Sequence, residues 1–145
     1  MAYHKIILVG NLGRDPEMRY TPGGQPVVSF SLATSEKWTG HDGQVEERTI
    51  WWRVTVWGKA AENANQILKK GSKALVEGRM APDPKTGNPR VFTRQDGSSG
   101  AAYEVTALKW VNLTARGAGQ PTDGGEPAAG EDESLTSGNE SGIPF

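Results

Sequence analysis

The sequence predicts an all-β domain joined to an acidic tail, and two patterns carry this prediction. Residues 6–113 hold short segments rich in β-branched and aromatic residues, separated by Gly, Pro and Asn turns, with one helical period among them. From residue 117 onward the chain is mainly Gly, Pro, Ser, Thr, Ala, Asp and Glu, and Leu135 is its only large apolar residue before Ile143. Such a segment buries too little apolar surface to offset the entropy of ordering, so we expect a disordered tail.

Three predicted strands precede the helical segment, at residues 6–9, 27–34 and 47–57. The first is a short apolar run that ends at a glycine-rich turn. In the second, large apolar residues alternate with small ones, which is the two-residue period of a half-buried strand. The third is rich in β-branched and aromatic residues and follows a polar loop.

The period changes over residues 59–70, where the spacing of apolar residues predicts the one helix of the domain. Gly71 follows the last turn and is placed to cap it. The apolar stripe expected to face the core comprises Ala60, Ala64, Ile67 and Leu68.

Two more strands are predicted at residues 73–80 and 102–113, on either side of a long segment rich in Gly, Pro and Asn. Five strands with a single helix between the third and the fourth is the plan of the OB-fold, a small barrel. This barrel binds oligonucleotides on the face of its second and third strands. The fold alone does not establish such a function, which must come from the residues on that face.

Charge divides the chain into a basic body and an acidic tail. Residues 1–116 carry all 16 Lys and Arg with 11 Asp and Glu, whereas residues 117–145 carry six carboxylates and no basic residue. This asymmetry favours a body that binds a polyanion.

The chain has no Cys and only two His, which excludes a disulfide framework and a Cys/His zinc site, and no metal or cofactor is expected. Because the sequence shows neither the apolar region of a signal peptide nor an apolar run of membrane-spanning length, we expect a cytoplasmic protein.

The third predicted strand carries the strongest functional pattern. Because side chains alternate along a strand, Trp51, Arg53, Thr55 and Trp57 share one face, and the other face supplies the core. Two indoles separated by a guanidinium and a hydroxyl suit a nucleic-acid strand, whose bases stack on flat rings while its phosphates meet cations. The alternative is that one or both tryptophans pack against a loop or a neighbouring subunit.

Aromatic residues flanked by cations recur in two predicted loops. Trp38 follows Lys37 just before a polar loop, where we expect a clamp on a flexible strand, and Phe92 lies between Arg90 and Arg94. Phe92 has an alternative role as an anchor of its own loop. Phosphate contacts, which would make affinity fall with salt, are expected from Lys5, Arg53, Lys59, Arg90 and Arg94.

Catalytic patterns are missing from the sequence. The glycine-rich turn at residues 10–14 lacks the ending of a phosphate-binding loop. The carboxylates at residues 46–47 and 131–133 are consecutive, and His4 and His41 have no plausible Ser and Asp partners. We therefore do not expect an enzyme.

Five ordered motifs resemble those of the bacterial single-stranded DNA-binding proteins. The resemblance covers residues 5–113 and the last three residues, leaving the body of the tail without alignable sequence. The motifs are ILVGNLGRDPE at 7–17, LATSEKW at 32–38, WWRV with WGKAAE at 51–62, LKKGS with VEG at 68–78, and IPF at 143–145.

This resemblance implies an OB-fold at residues 1–115 that assembles into homotetramers, with single-stranded DNA stacked on side chains at the positions of Trp38, Trp51, Trp57 and Phe92. It further implies a disordered linker at 116–141 and a tip at 142–145 that docks onto replication, recombination and repair proteins. The apolar tip is otherwise read as a frayed terminus. The docking residues implied are Ile143, Pro144 and Phe145.

We therefore hypothesise a non-enzymatic protein that coats and protects single-stranded DNA without reading its sequence and recruits partner proteins through its tip. One alternative is an OB-fold module that binds RNA. A second is an adaptor whose main activity is docking, and a more distant one is an OB-fold nuclease, which the missing acid cluster opposes.

Overall fold

The structure is a computed structural model that describes residues 2–115. The predicted linker and the tip with Ile143, Pro144 and Phe145 lie outside the described residues. The described elements are β1 Ile6–Leu12, β2 Glu17–Tyr20, β3 Pro26–Thr39, β4 Val45–Trp57, α1 Lys59–Ile67, β5 Lys73–Met80, β6 Val91–Thr93, β7 Ser99–Ala101 and β8 Tyr103–Asn112.

Five of the strands form a closed barrel in the order β1, β5, β8, β4, β3. Pairing of Asn11 with Ala33 and of Leu12 with Leu32 joins β1 back to β3 and closes it. The β4–β8 pairing is parallel, and the other ladders of the barrel are antiparallel. Gly10 permits the closure, since a β-carbon there would lie 2.1 Å from the carbonyl oxygen of Ala33. The predicted OB-fold plan, with one helix between the third and fourth barrel strands, is confirmed.

The core fills the barrel with the inward residues of all five strands, and α1 packs against it. Leu32, Val54, Val56, Val76 and Val105 are fully buried. Burying side chains of this size contributes about 1.5–3 kcal/mol each before the entropy of ordering is counted. Alternation along β3 and β4 therefore fixes which of their side chains remain outside.

The helix differs from its prediction in both its end and its buried face. It ends at Ile67, because Leu68 turns to extended backbone at φ −86° and ψ 147°. Ala64 and Leu68 are buried as predicted, but Ala60 and Ile67 are exposed, and Ala61 faces the core.

The residues after the helix end show why it stops three residues early. The backbone N–H of Lys69 donates to Ser72 Oγ at 3.0 Å, and that of Lys70 donates to Asp15 Oδ1 at 2.8 Å. These side-chain oxygens accept the hydrogen bonds that helical carbonyls would otherwise accept. The two backbone N–H groups are therefore satisfied without a further helical turn. Gly71, predicted as the cap, lies instead in the turn to β5 at φ +88°.

Three further differences concern the strands. β2 pairs with β3 outside the barrel, and β6 and β7 form a separate hairpin within the segment that was predicted to be loop. β3 continues to Thr39 and places Trp38 in a strand, so the prediction of a loop position for Trp38 was wrong. Within residues 2–115, no helix is long and apolar enough to cross a membrane.

Candidate nucleic-acid interface

The outer face of β4 presents the predicted aromatic and cationic row to solvent. Trp51 is 54% exposed and Trp57 44%, while Val54 and Val56 on the opposite face are buried. Arg53 lies between the tryptophans on the same outer face. The two tryptophans are six positions apart, which places them about 20 Å from each other along the extended strand. The strand therefore offers two separate aromatic surfaces with a cation between them.

A cleft of about 440 Å³ runs beside the Trp57 half of this face. Arg53, Thr55 and Trp57 line it, as does Arg90 from the segment before β6. Two further arginines line the cleft, Arg14 and Arg19, and neither was predicted as a site residue. Arg19 lies on β2, a short polar strand that was not predicted, and Arg14 lies in the bend between β1 and β2. Four arginines and three carboxylates thus line one cleft, and its small excess of positive charge suits a polyanion.

Glu104 on β8 places a carboxylate between two of these arginines. Its Oε1 lies 3.8 Å from Arg53 Nη1, and its Oε2 lies 3.6 Å from Arg90 Nε. The Glu104 side chain is 13% exposed, whereas both arginine side chains are more than half exposed. The carboxylate therefore sits beneath the guanidiniums, holding them toward the cleft while offsetting part of their charge.

A second cleft of about 460 Å³ lies toward the Trp51 half of β4. Arg53 lines both clefts, which places it between them. Trp52 and Tyr103 also line the second cleft, with ring centroids 5.2 Å apart. The Trp52 indole N–H donates to Thr34 Oγ1 at 2.9 Å, which satisfies this half-buried side chain at the margin of the core.

Trp38 lies on the β3–β4 hairpin, where it pairs with Glu46 in the ladder. Its side chain is 41% exposed, and the guanidinium of Arg48 lies over its ring. Arg48 also donates to Glu36 at 2.7 Å, and that hydrogen bond raises the pKa of the guanidinium. The indole is thus held on a strand by neighbouring side chains.

Phe92 lies on the β6–β7 hairpin and is 43% exposed. Arg94 Cζ is 5.8 Å from the centre of its ring, and Arg94 Nη1 donates to the carbonyl of Ser99 at 2.6 Å. The predicted grouping of an aromatic residue with a cation is therefore present on an exposed hairpin.

The structure does not bring Lys5 or Lys59 to either cleft. Lys5 forms an ion pair with Glu77 of β5, and its pKa is raised by the hydrogen bond to that carboxylate. Lys59 is the exposed first residue of α1, two positions after Trp57. The predicted contacts of both lysines with phosphates remain predictions.

Among residues 2–115, no group of three or more His, Asp and Glu side chains is arranged to hold a metal ion. Three carboxylates line the first cleft, Asp15, Glu17 and Glu104, and Glu104 forms ion pairs with Arg53 and Arg90.

Comparison with known families and sequences gives a consistent result. The model of the single-strand binding protein family matches residues 3–111. A protein of Neisseria meningitidis named single-stranded DNA-binding protein is 42% identical over 127 residues, covering 88% of this chain and 67% of that protein. Single-stranded DNA-binding protein 1 of Chlorobaculum tepidum is 46% identical over 94 residues, covering 62% of this chain and 58% of that protein. The resemblance indicated by the sequence motifs is confirmed.

Solved structures show the same fold. The Thermus aquaticus single-stranded DNA-binding protein, a deletion mutant, has a TM-score of 0.60 and 32% identity, covering 78% of this chain and 51% of that one. A small single-stranded DNA-binding protein of Streptomyces coelicolor has a TM-score of 0.62 and 25% identity, covering 77% and 95%. The Plasmodium falciparum SSB in complex with ssDNA has a TM-score of 0.64 and 24% identity, covering 78% and 97%.

Proposed function

The chain belongs to the single-strand binding protein family, and on that premise we propose that it binds single-stranded DNA along the outer face of β4. The observation that carries this proposal is the exposed row of Trp51, Arg53 and Trp57, with a cleft on either side of Arg53. A cation lies between two rings on one strand, an arrangement that offers contacts to both the bases and the phosphates of the ligand.

Four aromatic side chains stack with bases in this proposal, namely Trp38, Trp51, Trp57 and Phe92. Each is between 41% and 54% exposed, so each offers ring surface while part of it stays anchored to the protein. Stacking contributes about 1–3 kcal/mol per base by truncation, and every base has a flat face to offer. Binding is therefore tolerant of sequence.

Cations around the clefts contact the phosphates. Arg53 and Arg90 have the best placement, because Glu104 aims both toward the first cleft. Arg94 serves the β6–β7 hairpin, and Lys59 and Lys5 are the remaining proposed contacts. Phosphate binding releases counterions, so affinity falls as salt rises. The protein acts by binding alone, coating and protecting exposed strands during replication, recombination and repair.

A homotetramer is supported by the outer side of β1, β5 and β8. Ile7 and Val9 are exposed on β1, Val9 lies opposite Leu75 in the ladder, and Leu75 lies opposite Val111. These four apolar residues form one patch on the outside of the barrel. A second copy of the chain would cover it, as expected for a self-complementary face in a symmetric assembly. Light scattering tests this, and a monomeric mass would contradict it.

Recruitment of replication, recombination and repair proteins is proposed for Ile143, Pro144 and Phe145, joined to the domain by the linker at 116–141. One carboxylate, Glu140, lies among the four residues before Ile143. We therefore expect a synthetic tail peptide to bind a partner protein more weakly than the same peptide with added aspartates, and less sensitively to salt. Equal affinities would leave the apolar tip alone as the ligand.

Titration with oligo-dT, followed by tryptophan fluorescence at several salt concentrations, tests the proposed DNA binding. We expect quenching that saturates, with an affinity that falls as salt rises and that Trp51→Ala weakens. The absence of any salt-dependent quenching would overturn the proposal. Competition with an RNA oligonucleotide of equal length separates DNA binding from the RNA-binding alternative.

A further inference from the structure

Gly13 lies directly against the indole of Trp51. A β-carbon at Gly13 would stand 2.5 Å from Trp51 Cζ3 and 2.8 Å from Cη2, which is far inside van der Waals contact. The Gly13 N–H donates to the carbonyl of Ser31 at 3.1 Å, so the glycine backbone is tied to β3. The six-membered ring of the indole therefore occupies the space that any side chain at residue 13 would need.

Gly100 has the same relationship to the β6–β7 hairpin. It pairs with Phe92 in the ladder and is buried beneath it. A β-carbon at Gly100 would stand 2.8 Å from Arg94 Cζ and 3.0 Å from Phe92 Cε2. The side chains of Arg94 and Phe92 thus both occupy the space that a side chain at Gly100 would need.

Neither glycine is explained by backbone conformation. Gly13 and Gly100 do not have the positive φ that marks the turn glycines such as Gly24 and Gly97. They also differ from Gly10 and Gly78, where a β-carbon would meet a backbone carbonyl at 2.1 and 2.2 Å and would force strands apart. At Gly13 and Gly100 the obstructed atoms are the ends of side chains that are exposed on their other side.

We propose that Gly13 and Gly100 are positioning residues, which seat Trp51 and Phe92 so that each ring is held in place for stacking with a base. This inference rests on the proposed DNA binding. A half-exposed aromatic side chain that is free to rotate loses rotational entropy when a ligand immobilises it. A ring that already packs against the glycine has lost that freedom before the ligand binds. Such packing is possible only because glycine has no β-carbon.

The test compares Gly13→Ala and Gly100→Ala with Gly23→Ala, titrating each variant with oligo-dT and measuring its thermal midpoint. Gly23 is a matched control, because its added β-carbon would meet only Thr21 Oγ1 at 4.0 Å and its φ is not positive. We expect Gly13→Ala to weaken binding roughly 3- to 10-fold, less than full removal of a stacked ring. Gly100→Ala should act in the same direction, and Gly23→Ala should leave the affinity unchanged.

A double-mutant cycle distinguishes seating from a general structural role. In a Trp51→Ala background, Gly13→Ala should cost nothing further, and in a Phe92→Ala background the same should hold for Gly100→Ala. Equal losses of affinity with and without the ring would overturn the inference for that glycine.

Iodide quenching of tryptophan emission in the absence of DNA measures how exposed the Trp51 ring is, and so tests its packing against Gly13 independently of DNA binding. Gly13→Ala should increase the quenchable emission of the otherwise unaltered protein but not that of a Trp51→Phe variant. If the protein failed to bind oligo-dT but showed this increase, the proposed function would fail while the seat stood. If oligo-dT bound and the emission of both proteins responded identically to Gly13→Ala, the seat would be refuted instead.

Discussion

The guanidinium of Arg48 lies over the indole of Trp38, with its Cζ 5.3 Å from the ring centroid. Arg48 is itself held by Glu36 across the β3–β4 ladder, at 2.7 Å. The cation covers one side of the ring, so a base has access to the remaining exposed surface. Trp38 is therefore fixed on the hairpin by a contact between side chains, even though it lies beyond the buried core.

Replacing Arg48 with alanine should weaken binding of oligo-dT about 2- to 5-fold, because an exposed cation–π contact contributes about 0.5–1 kcal/mol. Fluorescence titration at constant salt measures the loss. Arg79→Ala is the control, since Arg79 lies 5.5 Å from the ring centroid of Tyr3 and lines neither cleft. The loss should shrink in a Trp38→Ala background, and a loss of unchanged size would show that Arg48 acts as a phosphate contact instead.

Arg53→Gln should reduce the slope of log affinity against log salt by about 0.7, the value for one phosphate contact on a single strand. Arg53 lies between the two clefts, which makes it the cation with the most direct access to a strand along β4. Affinities of the wild-type protein and the variant at four or more salt concentrations provide the two slopes. Parallel lines for the two proteins would remove Arg53 from the phosphate-binding set.

The sequence predicted those features that depend on local period. Alternation along β4 separated Trp51 and Trp57 from the buried Val54 and Val56, because one side of that strand faces the core. Alternation of apolar and polar residues did not predict the outer part of β3, because neither face of the strand is buried there. There the strand is held by cross-strand contacts such as the hydrogen bond between Ser35 and Thr49, which a local pattern does not reveal.

The missed site residues are those that the barrel brings together from distant segments. Glu104 approaches Arg53 because β8 pairs in parallel with β4, a pairing of strands far apart in the chain. Arg19 enters the cleft on β2, whose four residues carry no clear hydrophobic alternation. Such placement depends on tertiary structure and left no signal in the spacing of residues.

Glu104→Gln should strengthen binding of oligo-dT at low salt roughly 2- to 5-fold, because it removes a negative charge next to two phosphate-binding cations. Glutamine keeps the size of this mostly buried side chain. Glu62→Gln on α1 is a control for the change in net charge, since Glu62 lines neither cleft. Weaker binding of the Glu104 variant would mean that the carboxylate matters more for orienting Arg53 and Arg90 than for offsetting their charge.

The ion pair between Lys5 and Glu77 should make the stability of the domain depend on pH in the acidic range. Its hydrogen bond lowers the pKa of Glu77, so its stabilisation is complete above the ordinary pKa of a glutamate, about 4.3, and is lost as pH falls through the lower value of the folded state. The pKa of Lys5 is raised, so its share is lost only as pH rises above that of an ordinary lysine. Thermal midpoints of the wild-type protein and Glu77→Gln, measured at one protein concentration, should differ at pH 7 and converge toward pH 3. Lys5→Gln should show the same convergence. Because Lys5 is also a proposed phosphate contact, this variant should reduce the slope of log affinity against log salt for oligo-dT by about 0.7, and an unchanged slope would remove Lys5 from the phosphate contacts.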